Sequence, residues 1–201
     1  MWILTNIWHA AIHAYILELG FTRASADMCV YTKVMFKTRM ALALHVDDFT
    51  VASTQEQFSW FVDALKKRFG VKHQLATSCL GLKIWKNESN GYSFNQQHYL
   101  ETLMREFNMT DCKPVSTPMA KGEIDALLTD THGAKPLDAK EHHLYRQIVG
   151  KLMYPMVGSR PDLAYSLSVL GRYAAAPNTL HLALAKRVLA YVKSTVNLSI
   201  H

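Results

Sequence analysis

Two adjacent carboxylates, Asp47 and Asp48, lie between two apolar, strand-like runs in the segment Ala41-Leu42-Ala43-Leu44-His45-Val46-Asp47-Asp48-Phe49-Thr50-Val51-Ala52. This placement constrains the fold more than any other feature of the chain. Buried carboxylates are costly unless a proton, a base or a metal neutralises them. Neighbours on a regular strand also point to opposite faces, so one of the pair would face a core. A tight hairpin turn resolves the conflict by presenting both acids at the strand tips. There they are either a solvated turn or a pair of oxygen donors for a hard cation. The flanking sequence weighs against a plain turn, because an ordinary hairpin prefers Asn-Gly or Asp-Gly.

Around this segment the hydrophobic periodicity predicts an α+β arrangement. Residues 5–19 place Ile7, Ala11, Ala14, Tyr15 and Leu19 near one helical face, with Gly20 as the stop. Met28 to Phe36 and Met40 to Val46 read as strands joined by Lys37-Thr38-Arg39, and Phe49 to Ala52 as a third. Ser53 with Glu56 forms the signature of a capping box for a helix running to Gly70. Leu80 to Lys86 and Tyr92 to Phe94 read as a hairpin across Asn90-Gly91, followed by a helix from Gln96 to Phe107. A stretch holding Pro114, Pro118, Gly122, Gly133 and Pro136 reads as a linker or surface-wrapping loop. Beyond it the chain reads as helical over 138–158, 162–174 and 179–195.

The 201 residues carry 49% hydrophobic and 19% charged side chains, which predicts a packed core and excludes wholesale disorder. The net charge of +6 is concentrated in the helical last third. There Lys140, Arg146, Lys151, Arg160, Arg172, Lys186, Arg187 and Lys193 face only Asp138, Glu141 and Asp162. Such a basic region suits a polyanion partner. Lys186, Arg187 and Lys193 on one helix are the candidate phosphate contacts, with a solvated face as the alternative. The three cysteines, Cys29, Cys79 and Cys112, form neither a disulfide framework nor a CxxC knuckle, which fits a reducing compartment. The apolar start is interrupted by Thr5, Asn6, His9 and His13 and lacks the basic region and cleavage site of a signal peptide. A soluble, intracellular chain with no membrane partner is expected. His9 and His13 have the i, i+4 spacing of a shared metal but no third ligand, so they read as polar positions on a helix. His142 and His143 read as surface residues, and Trp2, Trp8, Trp60 and Trp85 as core.

A strand, Val-Asp-Asp, strand pattern is also what a polymerase palm needs, because carboxylates there gather two Mg2+ ions that activate a primer 3′-hydroxyl. His45-Val46-Asp47-Asp48 resembles the (Y/F)VDD box of reverse transcriptases of the copia (Ty1/copia) type of long-terminal-repeat retrotransposon. The neighbouring motifs match in order. Leu19-Gly20-Phe21 with Ser25-Ala26-Asp27-Met28-Cys29-Val30-Tyr31 resembles "LGF…SxADxCLY", and Leu80-Gly81-Leu82-Lys83-Ile84 resembles "FLGxEI". Cys112-Lys113-Pro114-Val115-Ser116-Thr117-Pro118-Met119 resembles "CKPVSTPM". Tyr145-Arg146 with Val149-Gly150-Lys151-Leu152-Met153-Tyr154 and Arg160-Pro161-Asp162-Leu163 resembles "YRxxVGxLxYL…TRPDI". His181 with Ala185 to Lys193 resembles "HxxAxKRVLRYLK".

The resemblance implies a partial palm over 1–110, a linker over 111–137 and a helical connection or thumb-like region over 138–201. It implies Asp47 as a direct ligand of Mg2+ (or Mn2+), with Asp48 assisting the metal or bracing the turn. His45 stands where the family carries an aromatic residue. The implied partners are an RNA/DNA template-primer and the remaining polyprotein parts, the fingers and ribonuclease H, in a cytoplasmic virus-like particle or the nucleus. The family's upstream catalytic aspartate and its "YGLKQ" segment have no counterpart here, so the expectation is a truncated enzyme inactive by itself. The alternative is a non-catalytic nucleic-acid-binding or assembly fragment that uses the basic helices.

Overall fold

The computed structural model describes residues 2–46, 48–89, 91–120, 122 and 133–201. The architecture is α+β, as the periodicity predicts, and the chain divides into two compact units, Met1–Ala76 and Thr77–His201. No helix among the described residues is long and apolar enough to cross a membrane.

In the first unit, helix α1 (Trp2–Glu18) ends where Gly20 takes a φ of +82°. Gly20 N–H donates to Leu17 O and Phe21 N–H to Ile16 O, the paired bonds that close a helix through a left-handed residue. Strands β1 (Thr22–Arg23), β2 (Val30–Met35), β3 (Thr38–His45) and β4 (Asp48–Ala52) follow in that order across one antiparallel sheet. Along β3, Met40, Leu42 and Leu44 are buried while Ala43 and His45 are exposed. Helix α1 covers the inward face with Ile12 and Ile16, and helix α2 (Gln55–Lys66) covers it with Phe61 and Leu65.

Two local features differ from the sequence expectation. The β2–β3 turn is Phe36-Lys37, both at positive φ, with Met35 opposite Thr38, rather than Lys37-Thr38-Arg39. The cap of α2 is Thr54 with Gln57, rather than Ser53 with Glu56. One buried amide explains both. Gln57 Oε1 accepts from the Thr54 N–H at 3.0 Å, while Gln57 Nε2 donates to Met35 O at 2.9 Å and to the Thr38 carbonyl and hydroxyl at 3.2 and 2.9 Å. A glutamate completes a capping box but has no N–H for the hairpin.

In the second unit, β5 (Ser78–Cys79), β6 (Leu82–Lys86) and β7 (Tyr92–Asn95) form a sheet, followed by α3 (Gln97–Glu106). Of the expected Asn90-Gly91 turn, Asn90 lies outside the described residues, and Gly91 N–H donates to Asn87 Oδ1. The helices α4 (Ala139–Gly158), α5 (Ala164–Gly171) and α6 (Thr179–Ser194) pack with α3 around Leu103, Tyr145, Ile148, Leu152, Leu170 and Val188. Capping boxes start two of them, Asp138 with Glu141 for α4 and Asn178 with His181 for α6.

Helix α4 contains Pro155, which has no N–H for the carbonyl of Lys151 one turn earlier. Tyr99 Oη donates to that carbonyl at 2.9 Å, so a side chain from α3 replaces the missing backbone donor. Between α4 and α5, a 3-10 turn (Pro161–Leu163) begins beside Arg160, which is fully buried. Its guanidinium donates to both Asp162 oxygens, from Nε at 2.9 Å and Nη2 at 2.7 Å, and to the carbonyl and hydroxyl of Thr195. Tyr191 Oη donates to Asp162 Oδ2 at 2.9 Å. Burial pushes the Asp162 carboxyl up, but the hydrogen bond and charge of Arg160, with the Tyr191 hydroxyl, hold it below its ordinary value.

Gln57→Glu is expected to destabilise the first unit by about 2–4 kcal/mol, since it removes buried donors and adds a charge beside carbonyl oxygens. Faster hydrogen exchange at the β2 and β3 amides is the readout. Because the folded Asp162 pKa lies below its unfolded value of about 3.9, its stabilisation is present above that pH and lost as pH falls through the folded value. Asp162→Asn is therefore expected to destabilise the second unit by about 3 kcal/mol at pH 7. In urea melts followed at α6 amides, the gap from wild type should narrow as the pH drops below about 4.

Candidate active site

The β3–β4 hairpin carries the carboxylates. His45 pairs with Asp48 and Leu44 with Phe49, and Val46 follows β3 in a turn. Directly opposed residues in an antiparallel pair share a face. Leu44 is buried, and the Phe49 ring meets Phe61 edge-on at 5.7 Å, so these two face the core. His45 and Asp48 therefore lie together on the other face, at the end of the sheet, and both are exposed. This settles which way Asp48 points: away from the core. Asp47 lies outside the described residues.

Val46 is exposed and sits at a φ of 54°. For a β-branched residue this left-handed conformation costs about 1–3 kcal/mol. The strained position is thus the first residue of the carboxylate turn. The face behind it is built from small or short side chains, Ala41, Ala43, Thr50 and Ala52, in register with one another across β3 and β4.

Carboxylate oxygens are the right kind of donor for a hard divalent cation. Among the described residues, however, no group of three or more His, Cys, Asp or Glu side chains is placed to hold a metal ion. Asp48, the described carboxylate of the hairpin, has the oxygen donors that suit Mg2+. His9 and His13 stack with ring centroids 6.4 Å apart, and His13 Nδ1 is 2.9 Å from Tyr31 Oη. Burial, then Arg23 and His9, push His13 below its ordinary pKa.

The three basic candidates on α6 separate into two kinds. Lys186 is exposed. Arg187 Nη2 donates to Thr117 Oγ1 at 3.3 Å and Lys193 Nζ donates to Cys112 O at 2.7 Å. Ser194 Oγ adds a bond to Val115 O at 2.7 Å. Although six residues apart in sequence, Arg187 and Lys193 both reach the segment 112–117 and fasten it along α6. That segment belongs to the stretch expected as a linker, and Val115 and Met119 pack against the helical core. Sequence reasoning also missed the Arg160–Asp162–Tyr191 cluster; its one signal was an arginine two residues before an aspartate across a proline.

The family model described as reverse transcriptase (RNA-dependent DNA polymerase) matches residues 3–121. The Retrovirus-related Pol polyprotein from transposon RE1 of Arabidopsis thaliana is 30% identical, covering 94% of this chain and 13% of its own length. That from transposon RE2 of the same plant is 32% identical, covering 94% and 12%. That from transposon TNT 1-94 of Nicotiana tabacum is 30% identical, covering 94% and 14%. The chain thus spans about an eighth of the length of these relatives. No solved structure matches it.

The contacts on α6 predict unequal effects of removing charge. Lys193→Met is expected to destabilise the second unit by about 1–2 kcal/mol through loss of a charged donor. Lys186→Ala should stay within about 0.5 kcal/mol of wild type. Urea unfolding followed by exchange of the α6 amides separates the two.

Proposed function

The chain belongs to the reverse transcriptase family and matches part of copia-type retrotransposon polyproteins, and from this premise we propose that its β3–β4 hairpin presents Asp47 and Asp48 as the carboxylates that hold Mg2+ (or Mn2+) for templated DNA synthesis. The observation that carries the reading is the register of that hairpin. It turns Asp48 out of the core, at a sheet end, next to a strained Val46. In this reading Asp47 is the direct ligand, and Asp48 assists it or braces the turn. A divalent cation held by Asp47 and Asp48 would supply the positive charge that favours an ionised primer 3′-hydroxyl and a leaving pyrophosphate. The chain's own residues position it: Leu44 and Phe49 anchor the strand ends in the core, and His45 lies beside Asp48 where a template-primer approaches. The substrate is an RNA/DNA template-primer with deoxynucleotides, and the other polyprotein parts, the fingers and ribonuclease H, complete the working enzyme.

Of the basic residues, Lys186 is the one we assign to phosphate contact, because Arg187 and Lys193 already donate within the fold. The family's upstream catalytic aspartate has no counterpart in these 201 residues, so in this reading the chain by itself is not a competent polymerase.

Paramagnetic broadening by Mn2+ tests the site without requiring activity. Amide signals of residues 44–49 should broaden on adding Mn2+, and the joint substitution of Asp47→Asn and Asp48→Asn should abolish the effect. Broadening that survives the substitution, or spares the hairpin, contradicts the assignment. In primer extension with Mg2+ or Mn2+ the expected result is no template-dependent product. Product that disappears with Asp47→Asn would show that the chain polymerises unaided.

A further inference from the structure

The outer edge of β7 is occupied by residues from the far end of the second unit. Phe94 is in register with Ile84 of β6 on one side. On the other side its N–H donates to Ile200 O at 3.0 Å, and it accepts from the Ile200 N–H at 3.0 Å. That reciprocal pair is the unit of an antiparallel ladder. One residue away from it in each direction, Ser93 meets His201, with Oγ 2.7 Å from Nδ1. Ser93 is fully buried, and Asn87 Nδ2 donates to its Oγ at 3.1 Å. Ser93 Oγ thus links Asn87 and His201 in one chain of hydrogen bonds. Backbone pairing therefore comes with a side-chain check at the next position.

We propose that the outer edge of β7 is a strand-acceptor site filled in cis by Ser199–His201, held by backbone pairing at Phe94 and with a hydrogen-bonding side chain read opposite Ser93. An open strand edge is a template for pairing with any extended segment. Here the segment after α6 holds that place, and the Asn87–Ser93–His201 chain of hydrogen bonds sets its register. The proposal is independent of the carboxylate hairpin, which belongs to the other unit.

Hydrogen exchange at the Phe94 amide of the full chain tests it. Phe94 should be protected in wild type and in Ile200→Ala, which keeps the backbone donor. In Ile200→Pro, which removes that donor, its exchange should be about tenfold faster or more. A synthetic peptide of residues 196–201, added in excess, should restore protection in Ile200→Pro and leave wild type unchanged. Rapid exchange of Phe94 in wild type overturns the proposal. So does failure of the peptide to restore protection while the β6 amides of Ile200→Pro stay protected. If those β6 amides are lost as well, His201→Ala replaces it, since it keeps every backbone donor. Weakened Phe94 protection in His201→Ala, restored by the wild-type peptide but not by one carrying the alanine, supports the proposal; unchanged protection overturns it.

Discussion

Strand β3 has a neighbour on each side, and its inward residues Met40, Leu42 and Leu44 are almost completely buried. The first unit follows from that constraint. Helices α1 and α2 are needed to cover the inward face, and the outward face is left with Ala43 and His45. Because opposed residues share a face, the burial of Leu44 carries Phe49 inward and leaves Asp48 outward beside His45. A slip of one residue would turn Asp48 toward Phe61 and expose the leucines. The carboxylate is therefore held in place by the hydrophobic alternation of its neighbours.

The second unit depends on polar groups that repair interruptions in its helices. Pro155 removes a donor inside α4, and Tyr99 supplies one from α3. The chain leaves α4 through a buried Arg160, whose charge is met by Asp162 and whose remaining donors reach Thr195 at the end of α6. Each repair crosses between elements, so the same bonds that satisfy buried groups also set how the helices are arranged. Arg187 and Lys193 act likewise on the segment 112–117. A basic helix that composition presents as a polyanion surface is in part an internal clamp.

Much of this was legible from local pattern. Runs rich in Val, Phe, Tyr and Leu located β2, β3 and β4, and Gly20 marked the end of α1. The misses have a common cause. Ser53-Glu56 and Thr54-Gln57 are both plausible capping boxes locally, and only the hairpin carbonyls that Gln57 must also serve distinguish them. Lys37-Thr38-Arg39 looks like a turn because it is polar. Yet Thr38 belongs to β3, where its carbonyl and hydroxyl meet that same amide, so the turn falls on Phe36-Lys37 at positive φ.

By itself, the sequence determined the α+β class, the hairpin form of the Val-Asp-Asp segment and, through its ordered motifs, the family. These rest on nearest-neighbour chemistry and on periodicity, which a linear chain carries in full. Only the tertiary structure decided which face Asp48 takes, which of the basic residues on α6 remain exposed, and where Ile200 and His201 dock. Those outcomes depend on pairing between residues far apart in the chain, and a hydrogen-bond donor does not reveal its partner until the fold brings the two together.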